Sequence, residues 1–103
     1  MSDVLKKEIL EFIDSFKWGH EKALEDVFLN GNCYWFAYIL KGRFGGVILY
    51  LPISGHFICR IGGTCFDITG EVHPKEPEIC FESYQTKDPD HYQRIYRNCV
   101  LLK

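Results

Sequence analysis

One change of hydrophobic periodicity, at the pair Gly45-Gly46, constrains the fold of this chain more than any other feature of its sequence. Apolar residues before the pair recur at helical spacing, whereas those after it form the short runs and alternations typical of strands. Helices followed by strands predict the α+β class. We therefore expect N-terminal helices packed on a small antiparallel sheet, with a closing helix, in a single domain spanning residues 1–103.

Four helices are predicted, three of them ahead of the glycine pair. Residues 3 to about 17 and residues 20–29 show helical spacing of apolar side chains. A third helix is expected to begin at Asn32, a good N-cap residue, and to end near Lys41-Gly42. Its buried face is predicted to carry Cys33, Phe36, Ala37 and Leu40. Asp88-Pro89 predicts the start of the last helix. The inner face of that helix would carry Tyr92, Ile95, Tyr96 and Cys99.

About three strands are predicted between the third and the last helix. Residues 47–51 form a continuous apolar run, which is consistent with a strand buried on both faces. Strands over residues 56–61 and 64–68 are expected to be joined by a tight turn at Gly62-Gly63. Residues 70–78, which contain glycine and two prolines, are expected to be an irregular loop.

Composition and charge argue against several classes of protein. The net charge is −2 and no basic run is present, so nucleic-acid binding is not expected. Apolar runs such as residues 47–51 are too short to span a bilayer, and neither a membrane partner nor a signal peptide is predicted. The five cysteines are an odd number without C-x-x-C pairs. This pattern favours reduced thiols in the cytoplasm over disulfides or a structural zinc site, and no metal or organic cofactor is expected.

Cys33 is the cysteine placed best for nucleophilic chemistry. It follows the predicted N-cap, so the helix dipole and free backbone N–H groups would favour its thiolate. The same N–H groups could stabilise an oxyanion. The alternative is that Cys33 is a small apolar residue on the inner face of the helix.

The Gly62-Gly63 turn predicts a partner pair for this thiol. A two-residue turn would place His56 and Asp67 on the same face of neighbouring strands, one diagonal step apart. A carboxylate at that position can fix the tautomer of the imidazole and stabilise its protonated form. The alternative is that His56 and Asp67 form an ordinary ion pair on the solvent-facing side of the hairpin. Catalysis requires the Cys33 helix to dock close to the face with His56, which is largely polar. The opposite face offers more apolar surface for packing and carries Phe57, Cys59, Ile61, Phe66 and Ile68, so the sequence leaves a conflict between the two faces.

Three stretches of the chain resemble papain-like cysteine hydrolases. They are residues 31–37 (GNCYWFA), residues 55–57 (GHF) and residues 66–70 (FDITG). The order Cys, His and then a polar residue is similar to that of NlpC/P60 and transglutaminase-like members. The resemblance covers residues 31–70 and implies a helix carrying Cys33 packed on a sheet carrying His56 and Asp67. It also implies hydrolysis or transfer at an amide, ester or thioester carbonyl of a peptide or acylated small molecule, through an acyl-enzyme.

Two departures from the family pattern leave a second function open. Only 23 positions separate Cys33 from His56, and no Gln precedes Cys33 at a papain-like distance. Asn32 is the side chain that we predict for the oxyanion site, together with the Cys33 N–H. Trp18 and Trp35 are candidates to line a substrate cleft. The alternative function is a non-catalytic binding or inhibitor protein on a degenerate papain-like scaffold.

Overall fold

The computed structural model describes residues 2–29 and 32–101, without the side chains of Cys99 and Leu101. In this part of the chain helices precede and follow a five-stranded antiparallel sheet, which confirms the α+β class. The helices are α1 (Asp3–Lys17), α2 (Glu21–Leu29), α3 (Cys33–Phe44), α4 (Phe81–Lys87) and α5 (Pro89–Ile95), with a π-helical continuation over Tyr96–Leu101. The strands are β1 (Val47–Leu51), β2 (His56–Ile61), β3 (Thr64–Asp67), β4 (Gly70–Val72) and β5 (Ile79–Cys80).

The helix termini follow local capping chemistry, with one correction. The Ser2 hydroxyl accepts a hydrogen bond from the Leu5 N–H at the start of α1. Asn32 occupies the N-cap position of α3 but makes no side-chain cap. Its amide instead donates to the Val27 carbonyl at 3.4 Å, so the predicted capping by Asn32 is wrong. The end of α3 lies at Phe44, beyond the predicted boundary, because Gly45 with φ 80° provides the left-handed turn that stops it.

The tight turn between β2 and β3 has the predicted register. Gly62 and Gly63 have φ of 57° and 86°, the left-handed conformation that a two-residue hairpin turn requires. Ile61 consequently pairs with Thr64, and Cys59 pairs with Phe66. The ladder ends there, so the first three residues of β2 extend beyond their pairing with β3.

The predicted irregular loop over residues 70–78 is only partly correct. Gly70–Val72 forms β4, which pairs with β3. After the loop, Ile79–Cys80 adds β5 to the far side of β1, and Phe81–Lys87 forms α4. The sheet order is therefore β4-β3-β2-β1-β5, two strands more than predicted.

The main core lies between α3 and one face of the sheet. Phe36, Ala37 and Leu40 of α3 are buried with Phe57, Cys59, Ile61, Phe66 and Ile68, the apolar face that the sequence predicts. The inner face of the last helix contributes Ile95, with Tyr92 and Tyr96 packed alongside, and Cys99 lies outside the described side chains. A smaller cluster covers the other face of the sheet. Among the described residues, no helix is both long and apolar enough to cross a bilayer.

Candidate active site

Cys33 is the first residue of α3 and lies against the beginning of β2. The residue is buried, with 7 % of its surface exposed. Its side chain makes a hydrogen bond with the His56 side chain and interacts with the backbone N–H groups of Phe57 and Tyr34. The packing of α3 on the apolar face of the sheet therefore does not prevent Cys33 from reaching His56. The body of α3 packs on the apolar face, while its first residue lies at the point where β2 begins.

The position of Phe57 explains how a strand residue can donate to this sulfur. Every second residue of β2 directs its backbone N–H and C=O groups toward β3, and Ile61 and Cys59 are two such residues. By the same alternation the Phe57 N–H is directed toward β3, but the ladder has already ended at Cys59. This N–H is thus available to the Cys33 sulfur, as a donor that stabilises the thiolate more than the thiol.

Asp67 lies on the other side of the His56 ring. Its Oδ2 is 2.9 Å from Nε2 of His56, so Nδ1 is the ring nitrogen left to face Cys33. The second carboxylate oxygen of Asp67 accepts hydrogen bonds from the backbone N–H of Thr69, at 2.8 Å, and from the Thr69 hydroxyl. These two bonds fix the carboxylate so that one oxygen is directed at the imidazole.

The protonation states follow from these contacts. Burial alone would raise the pKa of the Cys33 thiol, but the hydrogen bonds with His56 and with the backbone outweigh it and hold the pKa below its usual value. The hydrogen bond to Asp67 and then that to Cys33 raise the pKa of His56 to about 9. Burial also acts against the Asp67 charge, yet the bonds from His56 and Thr69 keep the pKa of that carboxyl lowered. A thiolate–imidazolium pair is therefore favoured between the Cys33 pKa and about pH 9.

We expect Thr69→Val to lower the free energy of unfolding by about 1–2 kcal/mol, because it removes a hydroxyl donor from a buried carboxylate. Urea unfolding at pH 7 measures the loss. Thr64→Val, at the start of β3, is the matched control, since no hydrogen bond from the Thr64 side chain is found among the described residues. An equal loss in both variants would show that the hydroxyl of Thr69 does not support Asp67.

The three other site residues predicted from the sequence are Asn32, Trp18 and Trp35, and the contacts of each differ from those predicted or leave its role open. The Asn32 amide donates to Val27, away from the proposed oxyanion role. Trp18 follows α1 and is 80 % exposed. Trp35 is 39 % exposed and its ring packs edge-on against Tyr34, which also contacts Phe57. Of the two tryptophans, only Trp35 is linked by ring contacts to the surroundings of Cys33.

A second thiol with a helix-start position was missed at the sequence level. Cys80 is the N-cap residue of α4, and hydrogen bonds with Ser83 lower its pKa. Burial instead raises the pKa of Cys65, and that of Cys59 to about 11. Cys80 was overlooked because α4 itself was not predicted. In the described part of the chain, no three His, Cys, Asp or Glu side chains are grouped so that they could hold a metal ion.

Fold and site together define an α+β protein with a Cys–His–Asp constellation at the junction of a helix and a sheet. A family model described as "Phage YunG-like protein" matches residues 8–98, and the chain belongs to this family. No curated protein and no solved structure matches the chain significantly.

Proposed function

We propose that this protein is a thiol hydrolase or acyltransferase that works through an acyl-enzyme on Cys33, in the manner of papain-like cysteine hydrolases. The observation that carries the proposal is the order of side chains in the site: Cys33 interacts with the His56 ring, and Nε2 of that ring lies 2.9 Å from Oδ2 of Asp67. Because a catalytic thiol must stay reduced, a cytoplasmic location is part of the proposal. The substrate is a peptide or an acylated small molecule with an amide, ester or thioester carbonyl.

The first half of the reaction makes the acyl-enzyme. The His56 ring holds the proton of Cys33, and the thiolate attacks the carbonyl carbon to form a C–S bond, while the carbonyl electron pair moves onto oxygen. The Cys33 backbone N–H has no acceptor within α3 and can donate to this oxyanion. When the oxyanion collapses, the bond to the leaving group breaks, and the imidazolium gives it a proton.

The second half returns the enzyme to its starting state. His56, now neutral, takes a proton from a water molecule or an acceptor nucleophile as that group attacks the acyl carbon. The C–S bond breaks, the Cys33 thiolate is released and the acyl group leaves as an acid or a new ester or amide. Asp67 holds the ring orientation and stabilises the imidazolium throughout.

Acylation by p-nitrophenyl acetate tests this proposal. We expect a burst of about one equivalent of p-nitrophenolate, with one acetyl group on Cys33 in the peptide mass spectrum, followed by slow turnover. Cys33→Ser should abolish the burst. Cys80→Ser is the matched control, because it removes another thiol of lowered pKa that makes no described contact with an imidazole, and it should leave the burst unchanged.

A second candidate, the non-catalytic binding or inhibitor protein, is favoured by the burial of Cys33 and by the engagement of Asn32 with Val27. Acetylation confined to thiols other than Cys33, with Cys33 protected until the protein unfolds, would contradict the hydrolase and support the binder.

A further inference from the structure

A cavity of about 260 Å³ lies between β1 and α5, and the proposed reaction does not account for it. It is lined by Tyr50, His91, Arg94, Ile95 and Asn98. His91, Arg94, Ile95 and Asn98 have the spacing i, i+3, i+4 and i+7. Residues with this spacing lie on one face of a helix, so one helical face forms the wall of the cavity opposite Tyr50. Ile95 is buried and anchors this face to the core, and three polar side chains flank it.

The lining has the chemistry of an anion site. Among residues 2–29 and 32–101, which the structure describes, no carboxylate lines the cavity and Arg94 makes no ion pair. Nδ1 of His91 lies 2.7 Å from the Tyr84 hydroxyl. When that hydroxyl donates to Nδ1, the His91 Nε2 carries the proton and can serve as a donor. A guanidinium, an imidazole N–H and an Asn98 amide together suit a carboxylate or a phosphate.

The cavity adjoins the candidate active site. Tyr50 is the β1 partner of Phe57, and their ring centroids are 4.8 Å apart. Phe57 is the residue whose N–H interacts with the Cys33 sulfur. The Tyr50 hydroxyl lies 3.9 Å from where a Cβ on Gly55 would stand, and Gly55 directly precedes His56. Tyr50 therefore places one wall of the cavity on β1, the strand next to β2, which carries the base.

We propose that this cavity binds an anionic group, a carboxylate or a phosphate, on the substrate that acylates Cys33. The proposal rests on the proposed function, because it specifies the substrate class of the same site. Arg94 provides the charge, and His91 and Asn98 provide directional donors. Because the lining lies on β1, α5 and the residues that follow, and Cys33 on α3, the proposal includes a spacer of several bonds between the anion and the reactive carbonyl.

Alkylating probes with a spacer test this inference. The probes are N-iodoacetyl-6-aminohexanoic acid, its neutral primary amide, and N-iodoacetyl-4-aminobutyl phosphate. We expect one or both anionic probes to alkylate Cys33 about tenfold faster than the amide, and the faster of the two identifies the anion. In Arg94→Gln this preference should fall below about twofold. Arg97→Gln, which removes the same charge outside the lining, should keep it.

The failure of this inference is distinct from the failure of the proposed function. Equal rates for the three probes at a Cys33 that reacts rapidly, or equal effects of the Arg94 and Arg97 substitutions, would overturn the anion site alone. A Cys33 that no probe modifies before unfolding, iodoacetamide included, would overturn both. Cys80 in the same sample serves as the reference thiol and should show no preference for the anionic probes.

Discussion

Replacement of His56 by Ala is expected to slow the alkylation of Cys33 by iodoacetamide at pH 6 by about tenfold or more, because the thiolate fraction falls tenfold for each unit by which the pKa of a thiol rises. Burial raises the pKa of the Cys33 thiol, and the hydrogen bond with His56 is the largest contribution that opposes it. Without the imidazole, the pKa of the Cys33 thiol returns to at least its ordinary range, where about 0.3 % of a thiol is ionised at pH 6. Alkylation from pH 4 to 9, followed at each cysteine by peptide mass spectrometry, measures the effect.

The pH profile distinguishes a thiolate pair from a merely accessible thiol. In the wild type, Cys33 should react rapidly above its own lowered pKa and remain reactive as the pH passes about 9, where His56 loses its proton. Turnover, in contrast, should decline above about pH 9 because the leaving group then lacks its acid. His73→Ala is the control, since its ring contacts Glu71 rather than Cys33. A His56→Ala protein with wild-type Cys33 reactivity at pH 6 would refute the pair.

Phe36→Ala is expected to lower the free energy of unfolding by about 3–5 kcal/mol, a large part of the 5–15 kcal/mol typical of a small domain. The side chain is 1 % exposed, and its ring centroid lies 5.3 Å from that of Phe16 and 5.4 Å from that of Phe28. It thus joins α1, α2 and α3 at one point, and truncation leaves a cavity that three helices cannot fill without moving. Urea unfolding followed by tryptophan fluorescence measures the loss.

Trp18→Ala provides the comparison for this loss, with circular dichroism replacing fluorescence as the readout. It removes a larger aromatic side chain that is 80 % exposed, so the change should stay within about 0.5 kcal/mol. Similar losses in Phe36→Ala and Trp18→Ala would mean that the helical layer is not packed as described.

The parts of this structure that local chemistry determines could be predicted from the sequence. The register of β2 and β3 follows from the two adjacent glycines, and with it the diagonal placement of His56 and Asp67. The ends of α1 and β1 follow from periodicity and composition in the same way. In each case the determining residues are neighbours in the chain.

The parts of this structure that depend on residues far away in the chain could not be predicted from the sequence. β5 is two residues long and exists through its pairing with Leu49 and Tyr50, about thirty positions earlier. The approach of Cys33 to His56 depends on how α3 docks against the beginning of β2, and 23 positions separate these two residues, so no local pattern encodes their contact.

The two-residue turn at Gly62-Gly63 has a consequence for how this chain can vary in length. The turn lies at the opposite end of β2 from His56, about 17 Å away by strand geometry. A single residue inserted there would shift β3 by one position and turn Asp67 to the opposite face of the sheet. Insertions in the loop over residues 73–78 leave that register untouched. Chains of this type that keep the pair of His56 and Asp67 should therefore differ in length at residues 73–78 and agree in length between β2 and β3.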